Sequence, residues 1–266
     1  MFNPDKFKEK MGTQWLGAHF VYLENTDSTN SYLKKISTDD FIHGTVVLAD
    51  NQSSGRGRYN KTWESEKGKN LTFTVGFKPA NGERLSLLTL ASALAVKVAL
   101  QPLINTRSVI KWPNDILVNG KKIAGLLTEC IFNGPAPEKV LIGIGINVNQ
   151  TKFSRNLNHS AISVKTLNLK ESLPSREELF ANILKHIELI YTRWLKQDQH
   201  LHLEINRELY GYGKWVQIEV DGKIREEEYK FCGINEKGYL VVLNSDLDIK
   251  TFSYEQVRIH KILERV

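Results

Sequence analysis

The chain has 266 residues, 41% of them hydrophobic, and carries a formal net charge of +6 from 36 lysines and arginines against 30 aspartates and glutamates. That is enough apolar chain for one sizeable core and a small second one, and it excludes a disordered polyelectrolyte; the mild positive excess suits an acidic small substrate, nucleic acid or a membrane surface, and is otherwise ordinary solubilising charge. No apolar run approaches the ~20 residues that span a bilayer, and the N-terminus lacks the apolar stretch of a secretory signal, so a cytoplasmic protein without a membrane partner is expected.

In chain order, residues 20–26 read as a strand, and Asp27-Ser28-Thr29-Asn30 supplies cap-forming side chains for a short helix reaching about residue 37. Residues 45–50 form a short apolar strand. Residues 51–69 are rich in glycine, serine and charge without an apolar period, and make a long loop with no reason to order alone. Residues 70–77 alternate: Leu71, Phe73, Val75 and Phe77 pack on one face, while Asn70, Thr72, Thr74 and Gly76 leave the other to meet ligand. Residues 84–100 are apolar almost all round, as in a helix buried against a sheet.

Asn119-Gly120 is a two-residue hairpin signal inside residues 115–129, and residues 140–149 supply another strand. Ser175 and Glu178 form a capping box that opens an amphipathic helix carrying Leu179, Phe180, Ile183, Leu184, Ile187, Ile190, Tyr191 and Trp194, which closes the main domain. Beyond Gly213, short alternating segments broken by Asp221-Gly222 and Lys237-Gly238 predict a small antiparallel barrel, ending with the stretch 251–259. The boundary falls at 210–214, giving domains 1–210 and 211–266. Cys130 and Cys232 sit among apolar neighbours without CxxC spacing and read as buried free thiols, and the pair His200 and His202 lies in a polar stretch that predicts no structural metal.

Three clusters carry chemistry. In Gly55-Arg56-Gly57-Arg58, the glycines let backbone amides approach a ligand and the arginines offer forked donors to phosphate or carboxylate. Around the hairpin, Val118 pairs with Lys121 and Leu117 with Lys122, so that Asp115 and Lys122 become diagonal neighbours on one face, roughly 7–8 Å apart at Cα. A carboxylate and an ammonium so placed could serve a magnesium phosphate and a substrate carboxylate, or form only a surface ion pair. In residues 141–149 the period of two sets Ile142, Ile144, Ile146 and Val148 on one face and Gly143, Gly145, Asn147 and Asn149 on the other. A face stripped of side chains has something flat against it, a ligand or a second backbone. No GxxxxGK[ST] loop occurs and the two glycines lie within a strand, so any nucleotide binds outside the P-loop and Rossmann modes.

Taken together, Asp27-Ser28-Thr29-Asn30, Gln52 with Gly55-Arg56-Gly57-Arg58, Trp63 with Gly68-Lys69-Asn70-Leu71, Lys111-Trp112-Pro113-Asn114-Asp115, Lys122-Ile123-Ala124-Gly125 and Gly143 to Asn147 resemble, in order and spacing, the biotin protein ligases. The resemblance implies an α/β (α+β) fold, with a mixed-sheet, class II synthetase-like catalytic domain and a C-terminal SH3-like β-barrel. It implies biotin as substrate, ATP and Mg2+ as cofactors, biotinyl-5′-AMP as intermediate, and a biotin carboxyl carrier protein or domain of the acetyl-CoA carboxylase type as acceptor. The expected assembly is a monomer or weak homodimer.

On that resemblance Ser28, Thr29, Asn30 and Gln52 line the pocket for the biotin rings. Gly55, Arg56, Gly57 and Arg58 close over carboxylate and phosphate, with Trp63 and Gly125 in the same ligand site, and Lys122 bridges the two groups as the main catalytic cation beside Arg58 and Arg56. Asp115 and Asn114 are the magnesium-side residues and Asn147 an adenylate contact.

The loop departs from the pattern at Tyr59-Asn60-Lys61, where many members carry further arginine and glycine, which leaves the number of phosphate contacts open. Lipoate ligases are the nearest enzymatic alternative, disfavoured by Lys-Trp-Pro-Asn-Asp and Gly-Arg-Gly-Arg. A nucleic-acid-binding module is the alternative of another class, disfavoured by the acidic segment 219–228. Larger bacterial relatives carry a helix-turn-helix repressor domain; with the first strand near residue 20, a ligase without a DNA partner is expected.

Overall fold

The structure is a computed structural model that describes residues 1–79, 82–134, 136–168, 172–254 and 257–263. The N-terminal residues, read from sequence only for a missing signal, instead form a helix, α1 (Pro4–Lys10). Asn3 caps it by accepting from the amides of Asp5 and Lys6, and Pro4 occupies the first turn, where no amide is needed. Its Phe7, with Phe2, joins Phe20 and Phe180 in the core.

β1 (Phe20–Thr26), α2 (Thr29–Lys35) and β2 (Thr45–Gln52) form a crossover unit in which β1 and β2 run parallel. β3 (Leu71–Phe77), α3 (Leu85–Leu100), β4 (Ser108–Lys111), β5 (Asp115–Val118), β6 (Lys121–Asn133) and β7 (Ala136–Ile146) follow. The seven strands make one mixed sheet in the order β1-β2-β3-β7-β6-β5-β4, antiparallel everywhere beyond β2. Short α4 (Val164–Leu167), then α5 (Arg176–Leu195) and α6 (Leu201–Arg207) complete this unit. The capping box of Ser175 and Glu178 is formed, and each of the eight apolar positions expected on α5 is buried.

With the turn that follows it, α3 makes a stretch, Leu85–Leu103, of 19 residues and mean hydropathy 1.5, which by length and composition could cross a bilayer. The expectation that no run approaches that length is therefore corrected. What marks α3 as a core element is that 78% of it is buried within the protein, packed on α5 and the sheet.

β3 departs from its alternating pattern. All seven residues are buried: on the polar face Thr74 bonds to Thr29 and Asn30 of α2 and a Cβ at Gly76 would stand 2.5 Å from Phe41, while Thr72 still lines the cavity described below, as that face was expected to do.

β8 (Trp215–Val220), β9 (Lys223–Ile234), β10 (Leu240–Leu243), β11 (Ile249–Phe252) and β12 (Val257–Leu263) form a second, antiparallel sheet in the order β11-β10-β9-β8-β12. Glu255 and Gln256, within the last alternating segment read from sequence, lie outside the described residues. This sheet is seated on the first unit by buried polar contacts. The Asn206 amide exchanges two bonds with the backbone of Ile234, at 2.7 and 3.1 Å, and the Leu87 amide donates to the Lys237 carbonyl at 3.1 Å. Gly238, at φ 84, lies so close to α3 that a Cβ would meet the Leu87 nitrogen at 2.4 Å. Neither cysteine is fully buried: Cys130 is half-buried on β6, and Cys232 is exposed on β9, since strand alternation turns it outward between buried Phe231 and Gly233.

Candidate active site

The hairpin β5–β6 pairs as its Asn119-Gly120 turn requires, Val118 with Lys121 and Leu117 with Lys122. A bulge then shifts the register between Leu117 and Ile116, so that Asp115 faces Gly125. Lys122 Nζ touches Asp115 Oδ1 at 2.7 Å, the ion pair that their placement on one face allowed. Gly125 is required there: a Cβ would stand 2.5 Å from Lys122 Cε and 3.2 Å from Asp115 Oδ1. The Lys122 backbone is held from the other side too, its amide donating to Ser160 and its carbonyl accepting from Ile162.

Above this hairpin lies a cavity of about 480 Å3. Ser28, Thr29, Asn30, Gln52, Arg56, Gly57, Arg58, Trp63, Asn114, Asp115, Lys122, Gly125 and Asn147 all line it. Six cationic side chains (Arg56, Arg58, Lys61, Lys111, Lys122 and Arg258) face it against three carboxylates (Glu64, Asp115 and Glu219), so the space favours an anion.

One end is a polar shelf built where β1 meets α2. Gln52 Oε1 accepts from both the amide and the hydroxyl of Thr29, at 2.8 and 3.1 Å. The Thr74 hydroxyl donates to Asn30 Oδ1 at 2.5 Å, and Asn30 Nδ2 donates to Glu129 at 2.8 Å. With these bonds made, Asn30 is braced against bare Gly143, where a Cβ would stand 2.4 Å from its Oδ1.

The loop 53–69 is tied down, contrary to the expectation from its composition. Arg56 and Thr62 form a bridge, and the Trp63 indole lies on Gly145, where a Cβ would meet its ring at 2.3 Å. The flat object against the glycine face is therefore the protein's own Trp63, together with the Asn30 amide. Trp63 Nε1 is buried without a partner, and Lys122 Nζ stands 5.5 Å from the ring centroid.

Three assignments read from sequence change in part. Gly55 lines an adjoining cavity with Arg56, Gly57 and Arg58 rather than this one, and packs under Trp63, whose carbonyl a Cβ would meet at 2.7 Å, so glycine serves the loop's close approach. Asn147 lines the cavity but spends its side-chain amide on the carbonyls of Ile162 and Lys122. Arg56 is neutralised by Glu129 at 2.8 Å, an acid without a motif of its own.

Arg58 differs: its Nη2 donates to the Tyr59 hydroxyl at 2.8 Å and to the Tyr254 carbonyl at 2.5 Å, and no carboxylate among the described residues pairs with it. Burial lowers this guanidinium from its ordinary value, opposed by Tyr59, Tyr254 and Asp115. A half-buried cation held by neutral groups is a receptor for an anion.

Sequence reasoning missed the segment around Phe153 to Ala161 and the contribution of the second sheet, Glu219, Arg258, Ile259 and His260. Neither carries a motif. For magnesium the donors fit a modest role. Asp115 Oδ1 is buried with no donor aligned for a hydrogen bond although Lys122 touches it, and Asn114 Nδ2 is spent on the Leu126 carbonyl at 2.7 Å. One carboxylate oxygen plus the amide oxygen of Asn114 suits an ion that takes most of its ligands from phosphate and water.

A model of the biotin/lipoate A/B protein ligase family matches residues 22–147. The bifunctional ligase/repressor BirA of Bacillus spizizenii is 34% identical over 185 residues, 68% of this chain and 55% of that protein, so the chain spans about half of that relative's length. The biotin–[acetyl-CoA-carboxylase] ligase of Mycobacterium tuberculosis is 29% identical over 206 residues, 75% of this chain and 74% of the relative. The solved biotin protein ligase from Aquifex aeolicus, in complex with biotin and ATP, superposes with a TM-score of 0.77 at 29% identity, covering 91% of this chain and 99% of that one. Its mixed sheet, its C-terminal antiparallel sheet and its ordered motifs together place this chain in the biotin/lipoate A/B protein ligase family.

Proposed function

We propose that the chain is a biotin protein ligase, which activates biotin with ATP to biotinyl-5′-AMP and passes the biotinyl group to a lysine of an acceptor protein. The observation that carries this reading is Lys122, held on the glycine-cleared face of a sheet-built hairpin beside Asp115, in a cavity it shares with Arg58, with which no carboxylate among the described residues pairs. The biotin- and ATP-bound neighbour and the relative named for acetyl-CoA carboxylase support biotin, ATP and a biotin carboxyl carrier domain as the reactants. Residues 1–210 act as the catalytic unit, and residues 211–266 complete its cavity.

In the first step a biotin carboxylate oxygen attacks the α-phosphorus and the bond to pyrophosphate breaks. Two anions must approach each other, and negative charge grows on the equatorial oxygens, so fixed cations stabilise the transition state more than the ground state. On this reading Lys122 bridges carboxylate and α-phosphate, and Arg58 takes the phosphoryl oxygens. Ser28, Thr29 and Gln52 present donors and acceptors from rigid elements to the ring end. Asp115 and Asn114 would hold a magnesium ion, which would supply charge screening for the phosphates. In the second step the acceptor amine attacks the acyl carbon and AMP leaves, while the closed loop keeps water from the mixed anhydride.

The test is exchange of pyrophosphate into ATP that depends on biotin, with lipoate as control and salt-dependent DNA binding measured alongside. Exchange with lipoate alone overturns the substrate; DNA binding with no exchange overturns the activity.

A further inference from the structure

Tyr59 occupies a conformation that a bulky side chain avoids, φ 54 and ψ 43, directly after the Gly-Arg-Gly-Arg run. It is 48% exposed, so it does not fill a core. Its ring instead meets two guanidinium groups: Arg58 Cζ lies 4.7 Å and Arg258 Cζ 4.2 Å from the centroid. Its hydroxyl accepts from Arg58 at 2.8 Å. Arg258 comes from β12 of the second sheet, where Glu219 of β8 holds it at 2.7 Å. Arg58 in turn reaches the Tyr254 carbonyl and stands 5.4 Å from the Tyr254 ring.

We infer that Tyr59 is a positioning residue: its ring ties the arginine loop to the C-terminal sheet and sets Arg58 and Arg258 side by side as a paired receptor for the triphosphate of ATP. Two guanidinium groups facing one cavity repel one another, and the shared aromatic face is a neutral surface that stabilises both, beside the Glu219 carboxylate that pairs with Arg258. Glu219, which also faces the cavity, holds Arg258, and the Tyr59 hydroxyl aims Arg58. The left-handed backbone at Tyr59 is what brings the ring back over the loop.

The inference rests on the reading of the cavity as an adenylating site, so two independent measurements are needed. In the ligand-free protein, Tyr59→Ala should speed tryptic cleavage after Arg58 and Lys61 by about tenfold, since one aromatic contact to each of two cations is lost. In biotin-dependent pyrophosphate exchange, the same variant should raise KM for ATP by about tenfold with KM for biotin within about twofold. Tyr59→Phe keeps the ring and should stay near wild type in KM for ATP. The double variant Tyr59→Ala with Arg258→Ala should be no worse than the more damaged single, because the two act through one contact.

Unchanged cleavage together with unchanged KM for ATP in Tyr59→Ala overturns the inference, as does an additive double variant. If the wild type shows no biotin-dependent exchange, the adenylation reading falls and the cleavage comparison alone decides whether Tyr59 ties the loop.

Discussion

Two carboxylates in this molecule each lie 2.7 Å from a cation, Asp50 from Arg176 and Asp115 from Lys122, and the two pairs do opposite work. Asp50 is saturated. Besides Arg176 it accepts from the amide of Phe2 and the hydroxyl of Tyr22, and the side chains of the pair are 0% and 7% exposed. Asp115 has an oxygen with no aligned donor, and its pair opens to the cavity at 25% and 34% exposure. Distance therefore does not separate a structural pair from a functional one; saturation and access do. The Asp50 pair joins β2, α5 and the N-terminal segment into one unit, so every bond it can make is made. The Asp115 pair leaves a lysine able to exchange its partner for a substrate anion at small cost.

The sharpest break of this contrast is stability. Asp50→Ala leaves a buried guanidinium unpaired and should lower unfolding free energy by about 3–5 kcal/mol in urea. Lys122→Ala should lower it by under ~1 kcal/mol, because that pair is partly hydrated. Equal losses would erase the distinction.

Activity should invert the order. Lys122→Ala removes a fixed cation from the transition state and should slow biotin-dependent exchange by roughly 10²–10³-fold in a protein that remains folded. An unchanged exchange rate removes Lys122 from the mechanism.

A smaller effect is expected from Gly125→Ala. The added Cβ falls 2.5 Å from Lys122 Cε, the flexible part of a side chain, so the lysine moves and the fold stays. Exchange should drop by about tenfold with an unaltered urea midpoint, a displacement of the reacting geometry rather than of the core.

The pH dependence sharpens the comparison further. Burial alone would raise the Asp50 carboxyl, but Arg176, the Phe2 amide and Tyr22 outweigh it and hold it below its ordinary 3.8. A depressed carboxylate contributes stability that is present above the unfolded value and lost as pH falls through the lower folded value. The wild-type urea midpoint should therefore fall as pH drops below about 4, more steeply than that of Asp50→Asn. Tyr22, pushed up to about 12 chiefly by burial and then by its bond to Asp50, should stay protonated throughout that titration. The mildest expectation concerns the loop: biotin with Mg-ATP should slow tryptic cleavage between Arg56 and Lys69 in proportion to occupancy, and protection by lipoate but not biotin would contradict the proposed substrate.

The hairpin was legible in advance because its information is local. Asn119-Gly120 dictates a turn, the turn dictates which residues pair, and the pairing puts Lys122 and Asp115 on one face. The one-residue bulge that sets Asp115 opposite Gly125 was not legible, since turn chemistry does not reach beyond the first pairs and Ile123, at the bulge, is buried in the core. The capping box and apolar stripe of α5 were legible for the same local reason. The polar face of β3 was legible in part: Thr72 lines the cavity as alternation allowed, but only the position of α2 tells that Thr74 is covered.

By itself, then, the sequence determined the elements, the glycine-bare strand, the cations of the loop and the order of motifs that mark the family, all of them consequences of side-chain period and turn chemistry. Only the tertiary structure decided how each cation is met: Arg56 meets Glu129, distant in sequence, while among the described residues Arg58 meets carbonyl, hydroxyl and aromatic faces, the Tyr254 carbonyl and ring coming from the connection between β11 and β12. The physical reason is that a charge is defined by what surrounds it. Nothing in a run of Gly-Arg-Gly-Arg states which of its two arginines a folded neighbour will leave without a counter-ion.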